Sequence, residues 1–215
     1  MSTGIGAGRR IAFADGSAAI ASVVGAVALR RHCVPAHQVA LLVFTISMAG
    51  LYTVSSLYHS VPWQAAWKAR MQRVDHSMIY VLIAATYTPL AVVVLDGWIR
   101  VAALCVAWGI ALGGILQKIV LPQVGERFAI AMMVTQGWLA LPLFVPLARR
   151  LPAAAMVLMG LGGVLYTVGM VFLVTERPRL WPRVFSYHEA FHVCVVAGSA
   201  AHYAVMFAYV ARFGV

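Results

Sequence analysis

An all-α bundle of seven transmembrane helices is the fold this sequence predicts, and three observations carry it. Hydrophobic residues make up 63% of the 215 residues and charged residues only 10%, against roughly 25% charged in soluble domains. The mean hydropathy is +0.89. The apolar residues gather in runs of about 20, the length a helix needs to cross a hydrocarbon core. Disorder is excluded, because it requires low hydrophobicity together with high net charge. A β-barrel is disfavoured, because its alternating segments are absent. The length accommodates seven spans with short loops in a single transmembrane domain, residues 1–215.

The first span is expected at Ile11–Leu29. Asp15 and Gly16 interrupt it, and Arg9-Arg10 before it could pass for the start of a signal peptide. Arg30-Arg31 follows the apolar run with no small-residue cleavage site, so the segment reads as a span. The others are expected at Gln38–Tyr58, Val74–Leu95, Ile99–Gln117, Phe128–Ala148, Pro152–Thr175 and Tyr187–Ala211. Short loops imply antiparallel neighbours. Gly109 and Gly113 in the fourth span, and Gly160, Gly162, Gly163 and Gly169 in the sixth, are small residues of the kind that let helix backbones approach closely.

The net charge of +10 would suggest nucleic acid in a soluble protein. Here the basic residues lie between apolar runs, where they orient the chain and meet anionic headgroups. One side of the membrane collects Arg9, Arg10, Lys68, Arg70, Arg73, Lys118, Arg127, Arg177, Arg179 and Arg183. The other collects Arg30, Arg31, Arg100, Arg149, Arg150 and Arg212. The excess predicts an N-terminus inside and a C-terminus outside. Trp63, Trp67 and Trp181 fall at the inner boundary, where amphipathic rings anchor. Three cysteines are too few and too scattered for a disulfide framework.

Ionisable groups inside spans are costly and call for a reason. Four of them share one membrane depth. His59 ends the second span, Asp75 opens the third, and His188 and His192 open the seventh. With alternating topology, all four fall at the inner leaflet. His188 and His192 are four residues apart, so both project from one helix face. With His59 they form three imidazoles around an open position, which is the donor set of catalytic rather than structural zinc. Ser55 precedes His59 by four residues and shares its face. Asp75 is then placed as general base for water activated at the ion. Glu189 is its rival for that role. A lone intramembrane histidine is ordinarily an interhelical hydrogen-bonding group. His202, about 15 Å further along the last helix, is read that way, and Ser199 as a packing residue that shares the ligand face.

Three stretches resemble the bacterial hemolysin III family, which is related to the progestin-and-adipoQ receptors and, more distantly, to alkaline ceramidases. They are Ser55-Ser56-Leu57-Tyr58-His59-Ser60, Val74-Asp75-His76-Ser77-Met78-Ile79-Tyr80 running on to Thr86-Tyr87-Thr88-Pro89, and His188-Glu189-Ala190-Phe191-His192 with Ser199 and His202-Tyr203 beyond. The resemblance implies a seven-helix fold, zinc held by His59, His188 and His192, water positioned by Asp75, and Ser55 in support. It also implies a multi-pass protein of the bacterial inner membrane whose partners are membrane lipids. Three functions are consistent with it: a zinc-dependent hydrolase of lipid amides or esters, a receptor or lipid-state sensor with structural zinc, and a pore-forming cytolysin. A pore needs polar residues along its whole length, and here they cluster at one leaflet. The sequence fixes neither the substrate nor the oligomeric state.

Overall fold

A computed structural model of the protein describes residues 5–121, 125–178 and 185–214. Trp181, Arg179 and Arg183 lie outside the described residues. Among the described residues eight α-helices follow one another: α1 (Ile5–His32), α2 (Gln38–Ser60), α3 (Ala65–Pro89), α4 (Gly97–Val120), α5 (Glu126–Trp138), α6 (Leu141–Ala148), α7 (Ala153–Thr175) and α8 (Tyr187–Val205). There is no strand among the described residues. Among the described residues seven segments are long and apolar enough to cross a membrane, α5 and α6 together forming the fifth. They match the seven expected from hydropathy.

Two elements differ from the sequence expectation. The third helix starts at Ala65, nine residues before Val74. The segment Ala65–Arg73 is too basic to read as a span, yet its Ala, Lys, Arg, Met and Gln residues are good helix formers. They carry α3 beyond the apolar zone, and the Arg70 guanidinium lies 4.8 Å over the Trp67 ring. Asp75 therefore does not open the helix; it lies ten residues, about 15 Å, along it. The fifth span is broken between Trp138 and Leu141. Pro142 brings no N–H to the ladder, and the chain tightens there through Ala140 N–H to Gly137 O at 3.3 Å. A wide turn also closes α3, where Leu95 N–H reaches back five residues to Leu90 O at 3.1 Å, just past Pro89.

The helices close into a ring. The helix α1 packs on α2 and α8, α3 on α2 and α5, and α7 on α5 and α8, while α4 lies outside against α3 and α5. The outward faces are apolar, with Phe13, Ile20, Val24, Trp98, Leu112, Leu116 and Ile119 all exposed. That is the surface a bilayer would cover. Inside lies a core of Phe44, Leu41, Leu82, Val94, Val205 and Met206, with a second cluster around Tyr80, Ala84, Tyr87 and Ala111. Two polar side chains in the interior tie helices together. Tyr80 Oη donates to Ala129 O (2.8 Å), and Gln136 Nε2 donates to Tyr80 O (3.2 Å) and Ala107 O (3.0 Å). These bonds bind the short α5 to α3 and α4.

Close helix approach falls on only some of the glycines expected to allow it, and on one other. A methyl group added at Gly109 would meet nothing within 4 Å, and at Gly113 only the Met132 terminus at 3.8 Å. The expected Gly109–Gly113 pair is therefore not a contact. The neighbouring Gly114 is one: its added carbon would stand 2.5 Å from the Tyr80 ring. In α7, Gly162 faces the His202 ring at 2.5 Å and Gly169 faces Cys194 at 2.9 Å, whereas Gly163 faces open space. Gly114→Ala is therefore expected to destabilise the bundle by about 1–3 kcal/mol through overpacking. Gly109→Ala should be neutral or stabilising, since alanine is the better helix former by about 1 kcal/mol. Thermal unfolding of both variants in one detergent checks the contrast.

Candidate metal centre

One end of the bundle is where α1, α3 and α8 begin and α2 ends. Each of these helices delivers polar residues to a common point there. The start of α8 is fixed by its own sequence. Ser186 precedes the helix, its backbone N–H donates to the Glu189 carboxylate (2.9 Å) and its hydroxyl donates to the same oxygen (2.6 Å). Together with the Glu189 N–H turned to the Ser186 side chain, this is a capping box, a common device at helix starts. It gives Glu189 a structural task, turned back toward its own N-terminus.

With α8 set, His188 and His192 share one face, their ring centroids 5.0 Å apart. His59 comes from the last turn of α2, 5.2 Å from His188 and 5.1 Å from His192, with its ring at a steep angle to both. One ring nitrogen from each of the three lies within 4.8 Å of the others. Two nitrogens bound to one tetrahedral ion are about 3.3 Å apart, so modest side-chain rotation would bring the set to coordination distance. His188 Nε2 is buried and has no hydrogen-bond partner. An unpaired buried ring nitrogen is costly, and a cation at the centre of the cluster would satisfy it. These three histidines could hold a metal ion.

The other residues singled out in the sequence also converge here. Asp75 is buried, 8% exposed, and lies within electrostatic reach of His192 and beside Ser55. Ser55, 4% exposed, donates its hydroxyl hydrogen bond to a residue outside that set: Asp15 Oδ2, at 2.7 Å. Asp15 has no exposed surface at all. Its two carboxylate oxygens also lie 3.0 and 3.2 Å from His192 Nδ1. Sequence reasoning treated Asp15 as an interruption in the first span and missed its place in the site. The signal was present, because α1 begins at the end where α2 finishes, and a carboxylate one to two turns into a span is a functional candidate by default.

Further along α8, Ser199 Oγ accepts from Tyr52 Oη (2.7 Å) and bonds Tyr166 Oη (2.8 Å). His202 Nε2 lies 3.3 Å from Met159 O, against the face left open by Gly162. Both are ties within the bundle, as expected. His76 is partly buried and stands one residue beyond Asp75 on α3.

Fold and site together define a polytopic helical membrane protein with a cluster of three histidines at one end, His192 buried and His59 and His188 partly so. The family model described as haemolysin-III related matches residues 14–203. The chain is 36% identical over 163 residues to the hemolysin-3 homolog of Bacillus subtilis (strain 168), covering 76% of this chain and 73% of that protein. It is 32% identical over 203 residues to hemolysin-3 of Bacillus cereus, covering 93% and 90%. The chain belongs to the hemolysin III family and is a multi-pass integral membrane protein.

The cluster makes a direct prediction. Zinc at a free concentration 100 times its Kd should stabilise the purified protein by about 2.7 kcal/mol. A His188→Ala/His192→Ala variant should show no such gain. Melting curves with and without zinc, beside elemental analysis, test this; equal shifts in both proteins would place the metal elsewhere.

Proposed function

We propose that this protein is a zinc-dependent hydrolase of membrane lipids, cleaving an amide or ester bond near the cytoplasmic leaflet. The observation that carries the reading is the three-histidine cluster with a buried carboxyl, Asp75, beside it. The excess of Lys and Arg at the same end supports a cytoplasmic location. A zinc ion there would act as a Lewis acid on a carbonyl and lower the pKa of water toward neutrality.

The chain's own residues supply the rest. His59, His188 and His192 hold the ion from two helices. Asp75 accepts the proton as water adds to the carbonyl carbon, then returns it to the departing amine or alkoxide. The products are a fatty acid and the amine or alcohol. Ser55 supports the polar wall between α1, α2 and α3. The bilayer would supply the substrate laterally.

Asp75→Asn keeps the size of the side chain and removes the base. It is expected to retain zinc and lower turnover by about 10²–10⁴-fold. A panel of acyl amides and esters in mixed micelles, assayed for released fatty acid, provides the test. Unchanged turnover in this variant would reject Asp75 as the base, and a zinc-loaded wild type inert on the whole panel would count against hydrolysis.

A further inference from the structure

We infer that Asp15 is the positioning residue of the metal centre and makes the first helix part of it. This rests on the three histidines binding metal, as read above. As a carboxylate Asp15 only accepts hydrogen bonds, and the proton it shares with His192 then belongs to His192 Nδ1. The distances are 3.0 Å to Oδ2 and 3.2 Å to Oδ1. With Nδ1 so engaged, the Nε2 lone pair is the one left to face His59 and His188. A histidine ligand commonly donates its other ring N–H to a carboxylate, which fixes the tautomer and makes the ligand more basic.

Asp15 is itself held. Ser55 Oγ donates to Oδ2 at 2.7 Å, and the carboxylate is wholly buried between α1, α2 and α8. A buried carboxylate in a membrane-spanning helix is unfavourable without compensation. A dication beyond His192 provides it, and the carboxylate in turn offsets the charge of the ion on three neutral imidazoles. Metal binding and the seating of α1 are therefore coupled. A second tie between α1 and α2 offers a control: Ser56 Oγ donates to Ala12 O at 2.8 Å. It lies beside Gly16, whose added carbon would be 3.2 Å from the Ser56 hydroxyl, and it is a bond between α1 and α2 alone.

The test is zinc affinity by competition with a chromophoric chelator, measured together with the melting temperature of the metal-free protein. Asp15→Asn keeps shape and packing but loses the charge and the fixed acceptor. It is expected to bind zinc about 10–100-fold more weakly, with a metal-free melting temperature equal to or above that of the wild type. Ser56→Ala should leave zinc affinity within threefold, even if it lowers the melting temperature. Wild-type zinc affinity in Asp15→Asn, or an equal loss of affinity in Ser56→Ala, would overturn the inference while leaving the metal centre standing. A wild type that binds no zinc would overturn both. A second measurement needs no variant at position 15. The ¹⁵N spectrum of histidine-labelled, metal-free wild type, with His192 assigned through His192→Gln, should show Nδ1 protonated. An Nε2–H tautomer there would overturn the inference even if Asp15→Asn failed to fold.

Discussion

A carboxyl group with no exposed surface, inside a bundle whose outer faces are apolar, constrains everything around it. Asp15 meets Ser55 of α2 and His192 of α8 at hydrogen-bonding distance, so three helices must come together at one depth. Lipid offers no substitute for these partners. The cluster of His59, His188 and His192 stands on that junction. The polar residues of the site are thus held by each other and by the helix ends, while the apolar core of Phe44, Leu41, Val94 and Val205 holds the remainder of the ring.

The helix ends matter because the site sits at them. By its position between two histidines, Glu189 is the rival of Asp75 for the general base. Its carboxylate is instead spent on Ser186, where it defines the first turn of α8 and hence the direction of both His188 and His192. At the opposite end the chain is secured differently. Val34 N–H donates to Ala211 O at 3.1 Å, Arg212 Nε donates to His32 O at 3.1 Å, and Asp96 pairs with Arg100 and Arg150. These are exposed ion pairs and loop bonds, and the ion pairs contribute little individually. The polar chemistry of the buried end and the surface clamps of the other give the bundle two distinct faces toward water.

Much of this was legible in the sequence. Each span showed as an apolar run, because hydropathy over about 20 residues is a strong signal. The histidine cluster was legible because a four-residue spacing fixes a shared face and alternating topology fixes a shared depth. What was not legible follows from the same physics. The start of α3 was hidden because a basic helical extension lowers hydropathy without ending the helix. The break between α5 and α6 lies inside one continuous apolar run. The Gly109–Gly113 spacing says nothing about which face meets a neighbour, and the close approach falls on Gly114 instead. Asp15 was read only as a flaw in an apolar run, since its partners are 40 and 177 residues away.

Three imidazoles drawn from α2 and α8 come close enough to share one metal ion. The most direct test is X-ray absorption at the zinc edge on the purified, zinc-loaded protein. The expected spectrum shows nitrogen and oxygen neighbours only, at about 2.0–2.1 Å in four-fold coordination, with the outer-shell scattering of about three imidazoles. The chain also has cysteines at 33, 105 and 194 with no disulfide. Sulfur scattering at about 2.3 Å, or a shell without imidazole, would contradict the claim and move the metal away from His59, His188 and His192.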